Sequence, residues 1–381
     1  MISSISQYIV SADYLSVMSR SLRDGWCCRT ESGELDFRVG NSAIVFKIVL
    51  NGKHYAMKCY CREKKNLRSI YRERYLPKEL MLLCGNGRAE WSDVVLTEWI
   101  EGENIECFIE REYRNIDKMT SLSEMFERFA LDLLNKEWAH GDIKPENIII
   151  NDEGLHLVDF DAMYHPDFSA EDINEIGTRG YQHPLRHTLF DKDIDDYPIA
   201  LMSVALRALT LEPSLGEQIC ESDNLLINPE AAIEDRDKNL DHIESLFARS
   251  GDARHYRLAR LLRWKSPSLP NLRELLCDNH IRHDSSQVPE LAEERGLWGY
   301  KVEDRFVIPP LYDMGFEFSE GVAAVKIGEE WHFIDEQGTM LIHCGQGDRL
   351  KPFHNGVTHI TRKDGSQATI YRDGRIVEAE H

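Results

Sequence analysis

What the chain lacks narrows it first. Basic residues are the scarce charge: 45 Lys and Arg stand against 66 Asp and Glu in 381 residues, a formal net charge of −21. So acidic a surface repels phosphodiester backbones and anionic lipid headgroups, which argues against general nucleic-acid or membrane-surface binding. Long apolar runs are missing too. The most apolar stretch, Tyr197–Leu206, spans ten uncharged residues before Arg207, against about 20 for a bilayer span. Met1–Ala12 has no basic segment followed by an unbroken apolar run, so no signal peptide is expected. Its Ile2, Ile5, Tyr8, Ile9 and Ala12 fall at helical spacing instead. No pair of C-x-x-C units occurs among the nine cysteines, which are odd in number and scattered from Cys27 to Cys344. That gives a zinc site little support and predicts reduced thiols in a soluble, cytoplasmic protein.

What is present is enough for a full core: 42% of residues are hydrophobic and 29% charged. The length predicts two or three domains. From Asp36 to Trp99 the chain reads as short strands, with Asn51-Gly52 as a hairpin signal between Ala43–Leu50 and Tyr55–Tyr60. The basic stretch Arg62–Leu83 is expected to be helical. From Ser121 to Cys277 helical periodicity dominates: Leu122, Met125, Phe126, Phe129, Ala130, Leu133 and Leu134 form one apolar face. Pro198–Leu211 is apolar almost all round, as a helix inside a domain should be.

After the polar segment Asn279–Gln287, strand-like runs repeat to the C-terminus. Leu297-Trp298-Gly299-Tyr300 and Glu330-Trp331-His332-Phe333 are offset by 33 residues. Phe318-Ser-Glu-Gly321 and Phe353-His-Asn-Gly356 are offset by 35, and Thr369–Val377 is a fainter third copy. Such spacing means small β-units that bury apolar surface against their neighbours. The tail resembles WG-repeat modules, with Pro309-Pro310 and Ser319-Glu320-Gly321 in place and His332 where the second glycine belongs.

The decisive segment is His140-Gly141-Asp142-Ile143-Lys144-Pro145-Glu146-Asn147, followed by an apolar run and Asp159-Phe160-Asp161, with Asp159 17 residues beyond Asp142. It resembles the catalytic segment of the protein kinase superfamily, in its divergent bacterial eukaryotic-like Ser/Thr form. The resemblance implies an α+β fold: a bilobal kinase domain, with a small β-rich N-lobe and a helical C-lobe, followed by a β-rich repeat domain. The expected divisions are an N-terminal helical extension over 1–29, an N-lobe over 30–99, a C-lobe over 100–280 and the repeats over 289–381. It also implies ATP and Mg²⁺ as cofactors. Asp142 would orient the proton of an attacking hydroxyl, and Lys144 would offset charge on the transferred phosphoryl group. Asn147 and Asp159 would supply the hard oxygen ligands that Mg²⁺ prefers.

Upstream, Tyr55-Ala56-Met57-Lys58 matches the strand whose lysine reaches the α- and β-phosphates, with Ala56 lining the adenine slot. In the covering loop Arg38–Lys47 only Gly40 stands at a glycine position, while Val45 fits the final valine. Glu73 is the expected carboxylate partner of Lys58, with Glu79 as its rival. Thr97 would be the gatekeeper, the backbone of Glu98 and Ile100 would meet the adenine edge, and Ile149 would floor the base pocket. Of the pair Asp195-Asp196, Asp195 aligns better with the acid that would hold the backbone of the catalytic loop, and Thr178 would contact Asp142 and Lys144.

The departures matter as much. Gly141 replaces an arginine that in many kinases contacts an activation-loop phosphate. Asp161 replaces the glycine of the Asp-Phe-Gly triplet, and Leu185 stands where a glutamate would follow Pro184. The expected activity is transfer of the ATP γ-phosphate to Ser or Thr hydroxyls of a protein, with the repeat tail recruiting a protein partner. A small-molecule kinase, favoured by His-Gly-Asp, and a pseudokinase scaffold, favoured by the depleted glycine loop, are the alternatives.

Overall fold

The computed structural model describes residues 4–40, 42–83, 88–169, 171, 175–219, 224–277 and 287–379. Asn41 of the covering loop and positions 279–286 of the polar segment lie outside the described residues. The chain is a mixed helix and strand protein with a β-rich repeat region at its C-terminus, and it divides into two compact units. One comprises Met1–Ile105 and Glu146–Ile176, the other Glu106–Pro145 and Gly177–His381.

In the first unit α1 (Ile5–Asp13) starts at a capping box, in which Ser4 and Gln7 satisfy each other's backbone N–H groups. It continues into α2 (Leu15–Met18). A sheet of six strands follows: β1 (Trp26–Cys27), β2 (Phe37–Val39), β3 (Ala43–Leu50), β4 (Lys53–Tyr60), β5 (Tyr75–Leu83) and β6 (Ala89–Glu98). Its order is β1-β3-β4-β6-β5, with β2 paired to β3. The Asn51-Gly52 turn has φ of 50° and 73°, the geometry that a two-residue hairpin requires at both positions.

Alternation gives this sheet two faces. Ile44, Phe46, Ile48, Met57, Cys59, Leu80 and Leu82 pack with Tyr8, Ala12, Leu15 and Leu22. The N-terminal segment is therefore a built-in layer of this unit and not a separate extension. On the other face Ala43, Tyr60 and Val95 pack with Leu67 and Tyr71, and Phe160 lies against them.

The expected helix over Arg62–Leu83 shrinks to α3 (Leu67–Tyr71) and a 3-10 turn at Arg72–Arg74. Pro77 is the reason. A proline inside a helix removes a hydrogen bond and clashes with the preceding turn, at about 3 kcal/mol. Here it sits in β5, within a register shift between Leu76 and Leu80, where a bulge tolerates it. A second, smaller sheet joins β7 (Glu103–Asn104), β8 (Ile148–Asn151) and β9 (Gly154–Leu157). Gly102 permits this: a Cβ there would meet the Ile150 carbonyl oxygen at 2.4 Å.

The second unit begins with α4 (Ile105–Glu112) and α5 (Ile116–Leu134), the latter capped by Asn115 and burying Met119, Leu122, Phe126 and Ala130. The apolar run forms α6 (Asp196–Leu211), buried over nearly its whole surface. Shorter helices follow: α7 (Gly216–Ile219), α8 (Pro229–Ile233), α9 (Lys238–Ser250), α10 (Ala253–Leu261) and α11 (Leu272–Leu276). Among the described residues no helix is long and apolar enough to cross a membrane.

The repeats then form three sheets. The first holds β10 (Glu290–Glu294), β11 (Leu297–Val302) and β12 (Arg305–Tyr312). The second holds β13 (Met314–Gly315), β14 (Ala323–Ile327), β15 (Glu330–Ile334) and β16 (Met340–Gln346). The third holds β17 (Arg349–Leu350), β18 (Val357–Thr361), β19 (Gln367–Tyr371) and β20 (Ile376–Glu378). The repeated Glu320-Gly321 and Asn355-Gly356 pairs make equivalent turns with φ of 54° and 74°, and 52° and 75°. The faint third copy falls on β19 and β20. Ala248 and Ala253 of the helices share one buried core with Tyr300, Val307, Ile308, Tyr312, Ala323 and Val325, so the repeats continue the helical core instead of standing as a separate domain.

Candidate functional site

Strand register assembles the candidate residues of the first unit. Lys58 on β4 faces Val45 on β3 and Val95 on β6, while Ala56 faces Thr97. Side chains two apart on a strand share a face, so Val45, Ala56, Lys58 and Thr97 lie on the face that also carries Tyr60. Gly40 follows β2, and its N–H donates to the Ala43 carbonyl at 2.9 Å. Glu98 ends β6 and Ile100 follows it.

The β8–β9 hairpin brings in the acidic partners. Ile148 pairs with Leu157, and the Val158 N–H donates to the Asn147 carbonyl at 3.0 Å. Asn147 and Asp159 therefore flank the same hairpin end, with Ile149 buried one residue further along β8. Asp159 has a φ of 64°, a left-handed conformation that costs a non-glycine residue about 1–2 kcal/mol and that clusters at functional sites. Two hard oxygen donors at one hairpin end are a donor set suited to Mg²⁺.

Lys58 joins the two elements. Its ammonium donates to Asp159 Oδ1 at 2.5 Å and to Asp161 Oδ2 at 2.9 Å. Burial opposes the charge, but the two carboxylates outweigh it and raise Lys58 above the ordinary lysine range. Tyr60 and Tyr71 donate their hydroxyls to Asp161 Oδ1 at 2.8 and 2.6 Å. Burial, with the nearby Asp161 and Asp159 carboxylates, raises both phenols well above their usual range, so they remain neutral donors. Ser42 Oγ donates to Glu175 at 3.3 Å, and Lys64 pairs with the same carboxylate.

The expected partner of Lys58 is corrected by this arrangement. Glu73 lies exposed on the 3-10 turn after α3, because the helix that would have carried it inward stops at Tyr71. Glu79 is buried but engaged elsewhere: its Oε1 accepts the N–H groups of Arg20, Ser21 and Leu22 at 2.9, 2.6 and 3.1 Å. Asp161, Tyr60 and Tyr71 are the residues that motif reading missed as a group. The signal available was the acid at the third triplet position, visible as a departure but without a partner assigned to it.

The second unit carries Asp142 and Lys144. Asp142 Oδ1 accepts the Thr178 N–H at 2.6 Å. Asp195, fully buried, accepts the N–H groups of His140 and Gly141 at 2.5 and 2.8 Å. Burial raises its carboxyl, while His140 and those amides pull it down. Gly141 has a φ of 81°, a conformation the arginine of related motifs would adopt at a steric cost. Beside this loop Arg186 is 3% exposed, and burial lowers its guanidinium's affinity for a proton against the pull of Asp195, Asp191 and Asp142. The turn Pro145–Asn147 carries the chain from this loop into β8.

Comparison with known proteins gives two findings. A family model described as WG containing repeat matches residues 303–331, which run from the end of β11 into β15. Among solved structures, the crystal structure of the Legionella pneumophila LegK7 effector kinase is similar at a TM-score of 0.37 and 14% identity, over 61% of this chain and 57% of that one. The chain thus spans little more than half of that kinase's length. No curated protein matches the sequence.

Proposed function

We propose that the protein is an ATP- and Mg²⁺-dependent phosphotransferase of protein-kinase type, acting on Ser or Thr hydroxyls of a protein. The observation that carries this reading is the junction of Lys58 with Asp159, 2.5 Å apart. It joins the strand lysine to the acid that follows the His-Gly-Asp-x-Lys-x-x-Asn segment, two motifs 101 residues apart in the chain.

In this reading the β3–β4–β6 face takes the nucleotide, with Ala56, Val45 and Thr97 against the base and Lys58 toward the phosphates. Ile149 closes the base site from β8, Gly40 covers the phosphates, and the backbone of Glu98 and Ile100 meets the adenine edge. Asn147 and Asp159 would hold Mg²⁺, which would supply positive charge beside the phosphate oxygens. Asp142, fixed through Oδ1 by Thr178, accepts the proton of the acceptor hydroxyl as its oxygen bonds to the γ-phosphorus. The bond from that phosphorus to the β-bridging oxygen breaks, and ADP leaves. Lys144 offsets charge on the phosphoryl group in flight. Positioning and charge carry such a reaction, with no covalent enzyme intermediate. The repeat region, packed on α9 and α10, is the surface offered to a protein partner.

The test is γ-³²P-ATP with the full chain, the purified protein itself, generic protein acceptors and aminoglycoside-type alcohols as acceptors. Label recovered as phosphoserine or phosphothreonine is the expected result. Label only on the small alcohols would make it a small-molecule kinase, and ATP binding without transfer a scaffold.

A further inference from the structure

We propose that Asp161, the third residue of the Asp-Phe-Asp triplet, is a positioning residue that anchors Lys58 in place of a helix-borne glutamate; the assignment rests on the phosphotransferase reading. A phosphate-binding lysine needs a fixed carboxylate behind it, since its flexible stem otherwise samples many rotamers. The helix that would supply one is here only five residues long, Glu73 beyond it is exposed, and Glu79 is committed to the amides of residues 20–22.

The two carboxylates on Lys58 are not equivalent. The Asp159 side chain is 47% exposed, whereas that of Asp161 is 3% exposed. Asp161 is also clamped from behind. While Oδ2 takes Lys58, Oδ1 takes two phenol hydroxyls, from Tyr60 on the same face of β4 and from Tyr71 at the end of α3. The Lys58 ammonium also lies 5.2 Å from the Tyr60 ring centroid, a further attraction. Burial makes each of these bonds stronger than the same bond in water, and a satisfied buried network is rigid. The geometry thus divides the labour. Asp159, the more exposed acid at the hairpin end, is the one that can turn to a metal ion. Asp161 keeps the lysine in place when it does. A glycine at position 161 would leave Lys58, Tyr60 and Tyr71 without their shared acceptor. The aspartate there is thus the counterpart of the short α3, and the two departures from the family pattern explain each other.

The experiment uses the full chain with Asp161→Asn, Asp161→Glu, Lys58→Met and the Asp161→Asn/Lys58→Met double variant. ATP affinity is measured by calorimetry in EDTA, which leaves Mg²⁺ and turnover out of the readout, and kcat and KM for ATP are measured with Mg²⁺. Asp161→Asn keeps the shape but not the charge. It is expected to weaken metal-free ATP binding several-fold and to cut kcat by roughly 10- to 100-fold, the scale of a misplaced positioning group. Asp161→Glu is expected to recover part of the loss, and the double variant to be no worse than Lys58→Met alone, because both changes remove one interaction. Additive losses in the double variant would overturn the assignment. So would a folded Asp161→Asn protein with wild-type affinity and kcat. Failure of the wild-type protein to bind ATP or transfer phosphate would overturn the underlying reading itself, and is distinguished by appearing before any substitution is made.

Discussion

A Cβ placed on Gly177 would lie 2.5 Å from the carbonyl oxygen of Gly141. The segment that ends in Thr178 is packed so closely on the His-Gly-Asp loop that only a glycine fits between them. Gly177 also has a φ of 78°. Gly177→Ala should therefore displace Thr178 from Asp142 and lower kcat about tenfold or more, with a stability loss of at least about 1–2 kcal/mol from the backbone alone. Gly365→Ala is the control. Its φ is 86° but nothing lies within 4 Å of its Cβ position, so it should cost stability and leave kcat unchanged. Steady-state rates and urea unfolding of both variants check this; equal rates for Gly177→Ala and wild type would contradict it.

The repeat region depends on one buried tryptophan. Trp331 is 1% exposed, and its indole N–H donates to the Gly347 carbonyl at 2.9 Å. Trp331→Ala should cost about 3–5 kcal/mol, read as a shift of the urea midpoint. A loss under about 1 kcal/mol would show that the ring is not part of the core.

Because Ala248 and Ala253 share a core with the repeat strands, a chain ending at residue 286 should be less stable than the full protein. It should melt at lower temperature and aggregate, as an exposed apolar face does. An unchanged melting temperature with a monomeric truncated chain would contradict the shared core.

His332 sets a pH limit on the same region. It is fully buried and stands 3.4 Å from His343 through their Nδ1 atoms. Burial, helped by His343, lowers it from 6.5 to about 4. The folded state thus keeps the ring neutral, whereas the unfolded chain protonates it below its ordinary value. The stability so gained is complete above pH 6.5 and is lost as pH falls toward and through 4, with about 2–3 kcal/mol gone by pH 4.5. Urea unfolding at pH 7.5 and 4.5 should show the wild type losing that much more than His332→Gln; parallel losses would contradict the assignment.

How far the sequence was legible follows from what kind of signal each feature carried. Local patterns read well. Asn51-Gly52 formed its hairpin, the apolar run formed α6, and the 33- and 35-residue offsets became successive sheets with matching turns. Motif spacing singled out Lys58, Asn147 and Asp159; strand alternation and one hairpin bring Lys58 against Asp159 and set Asn147 at the same hairpin end. What failed was non-local. The basic stretch Arg62–Leu83 has helical composition, but Pro77 and pairing with β6 made its second half a strand, which left Glu73 outside. The N-terminal helix and the repeats looked separable by composition, yet each completes a neighbouring core that no local pattern displays. Asp161 was visible as a departure, but its meaning lay in Tyr60 and Tyr71, which no spacing rule connects to it.

Asp142 is the residue on which the proposed transfer turns. With γ-³²P-ATP, Asp142→Asn should transfer at least 100-fold less phosphate than the wild-type protein, the usual weight of a positioned proton acceptor, while ATP binds both proteins within about threefold. Equal transfer by the two proteins would contradict the account.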